Sequence, residues 1–149
     1  MVIIGIDPGV NGGLACLRMD GSVVSAVKMP DSDRKVVDWL LDMNMHHDHD
    51  SHVTAYVEQV SSSPQMGVVS AFTFGRGYGA LCMALEVLYA KREDVRPQRW
   101  QKALGCLTKG DKNVTKRKAQ ALFPGVKVTH AIADALLIAE FGRLAQLGR

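Results

Sequence analysis

The stretch Val2-Ile3-Ile4-Gly5-Ile6-Asp7-Pro8-Gly9 decides the fold. Its apolar part, Val2 to Ile6, is mostly β-branched and reads as a central strand buried on both faces. Asp7 stands where that strand stops, and Asp7-Pro8-Gly9-Val10-Asn11-Gly12-Gly13 is turn chemistry. Leu14 to Met19 and Val23 to Met29 read as two further strands, joined by Asp20-Gly21, a strong hairpin signal. Strands in such quick succession predict an antiparallel half-sheet.

Working outward, Val36, Val37, Leu40 and Leu41 sit at helical spacing and predict a helix from about Asp33 to Met43. Met45 to His52 reads as a polar loop, and Val53 to Val57 as another apolar strand, ending at Glu58. After the break at Ser61-Ser62-Ser63-Pro64, a long helix is expected as far as Ala90, with a small-residue section at Gly75, Gly77 and Gly79. Asp94-Val95-Arg96 is a short strand candidate, and Pro97 suits the first position of a helix reaching Leu104. The basic stretch Lys109 to Lys118 leads into a helix that stops at Phe123-Pro124-Gly125. A last helix begins at Thr129, a good N-cap, and runs through Leu144 or beyond. The expectation is one domain over residues 1–149, an α/β fold with a mixed sheet and helices on its faces.

A chain of 149 residues matches one domain of about 100–200 residues and needs no disulfides to fold. With 47% hydrophobic and 22% charged residues, disordered and fibrous classes are excluded. The net charge of +3 permits a polyanionic partner without demanding one. Cys16, Cys82 and Cys106 lack CxxC spacing, so reduced thiols in a cytoplasmic compartment are expected. No run approaches the ~18 uninterrupted apolar residues of a membrane span, so no membrane partner is expected.

Three acids stand in the wrong place for merely solvated charges. Asp7 ends one hydrophobic strand and Glu58 ends another. Asp134 lies inside the apolar helical segment Ala131 to Ala139, on a face shared with Ile138 and Phe141, with His130 one turn before it. Two strand ends and one helix could thus aim Asp7, Glu58, His130 and Asp134 at one point. Carboxylates meeting in a half-buried cleft either rise in pKa or are neutralised by a cation. Oxygen ligands favour Mg²⁺, with Mn²⁺ as substitute. Two such ions roughly 3.5–4 Å apart can activate a water and stabilise the leaving oxygen of a phosphodiester. Taken singly, each acid has a blander reading: Asp7 before Pro8-Gly9 is also a turn former, and His130 also suits a first helical turn.

His46, His47, His49 and His52 match no zinc spacing and read as a solvated loop. Phe72, Phe74 and Tyr78 read as core and interface residues, with base stacking as the alternative. The cations Arg96, Arg99, Lys102, Lys109, Lys112, Lys116, Arg117 and Lys118 form either a solvated face or a phosphate-contacting surface beside the acids.

In order and approximate spacing, Ile3-Ile4-Gly5-Ile6-Asp7-Pro8-Gly9, Val57-Glu58-Gln59 and Ala133-Asp134-Ala135-Leu136-Leu137-Ile138-Ala139 resemble the successive motifs of RuvC-type Holliday junction resolvases. The blocks Phe74-Gly75-Arg76-Gly77-Tyr78-Gly79, Trp100-Gln101-Lys102-Ala103-Leu104-Gly105 and Ala121-Leu122-Phe123-Pro124 are similar to the short phage and chloroplast branch. The resemblance implies an RNase H-like fold with a five-stranded mixed sheet of order 3-2-1-4-5. It also implies a homodimer, with an active site in each subunit, that makes paired symmetric nicks in a four-way DNA junction and uses Mg²⁺ but no nucleotide cofactor. Asp7, Glu58 and Asp134 fall on the family's metal-binding carboxylates. The position where bacterial members carry a further Asp or His is Ala131 here. The neighbouring position used in the phage-like branch is His130, which makes His130 the fourth-ligand candidate. Lys102 and Lys112 fall close to lysines that the family uses around the scissile phosphate.

Other readings stay open at this point. An RNase H-like nuclease could act on an RNA–DNA hybrid or flap, and the departure at Ala131 would suit a DNA-binding relative without catalysis. The Gly5-Ile6-Asp7-Pro8-Gly9 stretch also resembles the phosphate loop of actin-like sugar kinases, but 149 residues are too few for the two domains those require.

Overall fold

The computed structural model describes residues 1–45, 53–61, 63–88 and 90–149. The histidine cluster at 46, 47, 49 and 52 lies outside them. β1 (Val2–Asp7) pairs with β2 (Gly13–Arg18) antiparallel and with β4 (Val53–Glu58) parallel. β3 (Val23–Lys28) extends the sheet beyond β2, and β5 (Lys91–Val95) beyond β4. The order is β3-β2-β1-β4-β5 across five strands, as the family resemblance implied.

The first hairpin is built as its sequence dictates. Gly21 takes a φ of 90°, open to glycine at little cost, and its N–H donates to Arg18 O at 3.0 Å. The Asp20 carboxylate accepts from Ser22 N–H at 2.8 Å and closes the turn.

Alternation along the strands separates two cores. Val2, Ile4 and Ile6 of β1 and Val53, Ala55 and Val57 of β4 join Leu14 and Cys16 on one face. That face is covered by α1 (Asp33–Asn44) and α2 (Val68–Val87), which contribute Leu40, Met43, Leu81 and Leu85. Ile3, Ala15, Leu17 and Tyr56 point to the other face, covered by α3 (Pro97–Ala103), α4 (Asn113–Leu122) and α5 (His130–Gln146). α5 is buried on nearly all sides, with Ala135 to Ala139 at 0% exposure. A helix that apolar belongs between layers, here the sheet and α3–α4.

Glycines set how closely α5 approaches. A Cβ on Gly5 would run into the Ala135 carbonyl and the Ala139 backbone, and one on Gly13 into the Ala131 carbonyl. The stripe Ala131, Ala135 and Ala139 therefore lies directly on β1 and β2. Farther along, Gly142 admits the Tyr56 ring.

Three expectations need correction. Thr129 occupies the N-cap of α5, but its side chain makes no capping hydrogen bond; its carbonyl accepts from Ala133 N–H at 3.1 Å. β5 starts at Lys91, earlier than Asp94-Val95-Arg96 suggested, because it is an edge strand whose charges pair along it: Lys91–Glu93 at 2.9 Å and Arg92–Asp94 at 3.4 Å. Of the core and interface readings of Phe72, the core one falls, since Phe72 is 73% exposed on the outer side of α2 with Val68, Val69, Met83 and Val87. By length and composition α2 is the one helix among the described residues able to cross a membrane, which does not overturn the expectation of no membrane partner. It passes that test while Arg76, Ser70 and Thr73 interrupt it, and it packs on the sheet through Leu81 and Leu85.

Candidate active site

The period of two that fills the cores also aims the acids. Along β1, Ile3, Gly5 and then Asp7 face α5; along β4, Tyr56 and then Glu58 do the same. The parallel register pairs Ile6 with Val57, so Asp7 and Glu58 end adjacent strands side by side. Above them lies Asp134, one residue before Ala135, whose carbonyl rests on Gly5. The close seating of α5 on β1 therefore carries Asp134 to the same end of the sheet.

The three carboxylates sense one another. Burial, then the charges of Glu58 and Asp134, push the Asp7 carboxyl up to about 7, with Lys112 pulling against them. Burial also raises Glu58; the hydrogen bond from Trp100 opposes it and the Asp134 charge adds to it. Asp134 is raised by burial and pulled back by the Thr115 hydroxyl, Lys112 and His130. Its Oδ1 is a buried acceptor with no hydrogen-bond partner among the described residues.

Among the described residues, no three His, Cys, Asp or Glu side chains close into a ready metal-holding group. Asp7, Glu58 and Asp134 share one end of the sheet and are coupled through their charges. Their chemistry nevertheless fits a hard divalent cation. The donors are all carboxylate oxygens, all three pKa values are raised by desolvation, and Asp134 Oδ1 lacks a partner.

The loop after β1 is shaped around Asp7. A Cβ on Gly12 would strike the Asp7 carbonyl, and Gly12 N–H donates to Gly9 O at 3.0 Å. Gly9 has a φ of 112°, and a Cβ there would lie 3.2 Å from the Phe74 ring of α2. A groove of about 530 Å³ beside this loop, lined by Pro8, Met29, Val36, Phe74 and Tyr78, belongs to the α1–α2 face rather than to the carboxylates.

The remaining predicted residues divide. His130, the first residue of α5, is exposed, and its charge reaches Asp134. Lys112, at the N-cap of α4, acts on both Asp7 and Asp134. Lys102 stands exposed in the last turn of α3. Arg96, Arg99, Lys109 and Arg117 are exposed too, with Arg99 lying over the Phe141 ring at 5.6 Å and Arg117 paired with Asp111 at 3.7 Å. Sequence reasoning missed Trp100 and Thr115. Trp100 is fully buried and donates from Nε1 to Glu58 Oε1 at 2.9 Å; a buried indole N–H needs an acceptor, and that was the available signal. Thr115 carried none, since its closeness to Asp134 depends on how α4 packs against α5.

The solved structures define the fold class. The chain shares the RNase H-like fold of Thermus thermophilus RuvC, with a TM-score of 0.67, 22% identity, and coverage of 99% of this chain and 97% of that one. Thermus thermophilus RuvC in complex with Holliday junction substrate matches with a TM-score of 0.67 at 21% identity, covering 99% and 96%. The yeast mitochondrial Holliday junction resolvase Ydc2 matches with a TM-score of 0.51 at 13% identity, covering 98% and 81%. No protein-family model and no curated protein matches the sequence.

Proposed function

We propose that the chain is a divalent-cation-dependent, structure-selective DNA endonuclease that makes paired symmetric nicks in four-way junctions, a Holliday junction resolvase. The observation that carries this reading is the meeting of Asp7, Glu58 and Asp134, all with raised pKa values, at one end of a RuvC-like sheet. Solved structures similar to it over nearly the whole chain include resolvases, one of them in complex with Holliday junction substrate.

In this reading Asp7, Glu58 and Asp134 hold Mg²⁺ or Mn²⁺, with His130 as a further ligand. Such ions supply Lewis-acid activation of water and charge neutralisation at the phosphodiester. Asp7 ends β1, the central strand, and feels the charges of both Glu58 and Asp134. Lys112 supplies positive charge where the phosphate turns more negative, and Lys102 and the exposed arginines hold the flanking backbone.

The working unit is one domain, residues 1–149, acting in the cytoplasm as a homodimer of the short phage and chloroplast kind. The exposed apolar side of α2, with Val68 at 86% and Phe72 at 73%, is the surface for the second copy. A membrane is a poorer occupant, because Arg76 lies mid-helix and is paired with Asp33 at 2.9 Å.

The test is incubation with a synthetic four-way junction, with and without Mg²⁺, and mapping of nicks on all four strands. Paired nicks at symmetric positions, lost in Asp7→Asn, are expected. Scattered nicks, or preference for an RNA–DNA hybrid, would make the protein a different nuclease; no cleavage with intact junction binding would make it a catalytically inactive relative.

A further inference from the structure

We propose that Trp100 is a positioning residue for Glu58, turning one carboxylate oxygen alone toward the cation site and so favouring Mg²⁺ over Ca²⁺. The inference rests on the reading that Asp7, Glu58 and Asp134 hold a divalent cation.

The geometry is set by the register of the sheet edge. Glu58 pairs with Val95, and Gln59 N–H donates to Val95 O at 2.7 Å, so β5 ends level with Glu58. α3 starts at Pro97 almost without a connection, and its first turn sinks Trp100 into the core that contains Val95, Leu104 and Phe123. At 0% exposure the indole has no freedom to tilt. Its Nε1–H donates to Glu58 Oε1 at 2.9 Å, a bond strengthened by the carboxylate charge. Glu58 ends a strand on a flexible side chain, and this bond engages Oε1 and orients the carboxyl plane, which leaves Oε2 as the oxygen to offer.

The cation consequence follows from coordination chemistry. Ca²⁺ takes about 6–8 oxygens and often grips a carboxylate through both of them; Mg²⁺ demands a near-octahedral shell and takes carboxylates through one oxygen. A glutamate committed through Oε1 to a rigid donor suits the second and penalises the first.

Trp100→Phe removes the N–H and keeps an aromatic ring in the core. Calorimetry on the full chain should show Mg²⁺ affinity falling by about 10-fold or more while Ca²⁺ affinity holds or rises. In a Glu58→Gln background the same substitution should add nothing for Mg²⁺. Equal weakening of both cations would mark Trp100 as a core residue only and overturn the proposal. Unchanged Mg²⁺ affinity would overturn it while leaving the cation site standing. No Mg²⁺ binding by the unsubstituted protein would remove site and role together. If Trp100→Phe does not fold, Trp39→Phe leaves Trp100 as the single tryptophan, and its indole N–H resonance should move on Mg²⁺ saturation; an unmoved resonance overturns the proposal.

Discussion

Gly5 lies directly against the carbonyl of Ala135, with no space between β1 and α5 for a single methyl group. Gly5→Ala should push the helix off the sheet and destabilise the fold by about 1–3 kcal/mol or more, since the clash is with backbone rather than a movable side chain. Thermal unfolding measures the loss. Cleavage should fall further than stability does, because Asp134 is carried by the same turn of helix.

The pH dependence of stability reports on Asp7. Its carboxyl, at 3.8 when unfolded, rises to about 7 in the fold. Between those values the folded state holds a proton that the unfolded state lacks, so the contribution is complete below pH 3.8 and lost as pH rises through about 7. Glu58 and Asp134 shift the same way. Metal-free protein should therefore be less stable at pH 8 than at pH 5 by about 1–3 kcal/mol in denaturant titrations. Asp7→Asn should flatten that slope, and millimolar Mg²⁺ should reverse it.

Lys112 and Lys102 should separate kinetically. The charge of Lys112 reaches Asp7 and Asp134, whereas Lys102 stands on the exposed last turn of α3. Lys112→Ala should lower kcat by about 10²–10³-fold with little change in junction affinity. Lys102→Ala should leave kcat near normal, weaken binding, and reduce its salt dependence. Single-turnover cleavage beside equilibrium binding distinguishes the two.

The outer side of α2 should govern assembly. Replacing Phe72 and Met83, both exposed, with Asp places charges on an apolar helix face without touching Leu81 or Leu85 beneath it. Sedimentation should show a shift from dimer to monomer with folding preserved. Junction nicks should then become unpaired, since one subunit reaches one strand at a time.

The sheet and the three acids were legible because a strand's period of two is strict. An apolar run that ends in an acid fixes both the strand and the face on which the acid emerges, as Ile6-Asp7 and Val57-Glu58 do. Asp134 was legible because a carboxylate inside so apolar a helix needs a reason. Features set between distant segments were not legible. The Trp100–Glu58 bond depends on the register of β4 with β5, and the burial of Thr115 on the packing of α4 against α5. β5 was misread because its alternating charges resemble a loop until an edge position explains them. Which of Phe72, Phe74 and Tyr78 belong to the core and which to an outer surface was not legible, because composition shows that α2 is apolar but not which side lacks a cover.

Because Asp7 and Glu58 come from β1 and β4 and Asp134 from α5, far along the sequence, the acids cannot assemble until α5 has been made and has docked. A nascent chain still on the ribosome, or a fragment clipped ahead of α5, would carry two acids and an uncovered sheet. For the nuclease proposed above, no DNA cleavage is expected until α5 has docked on the sheet.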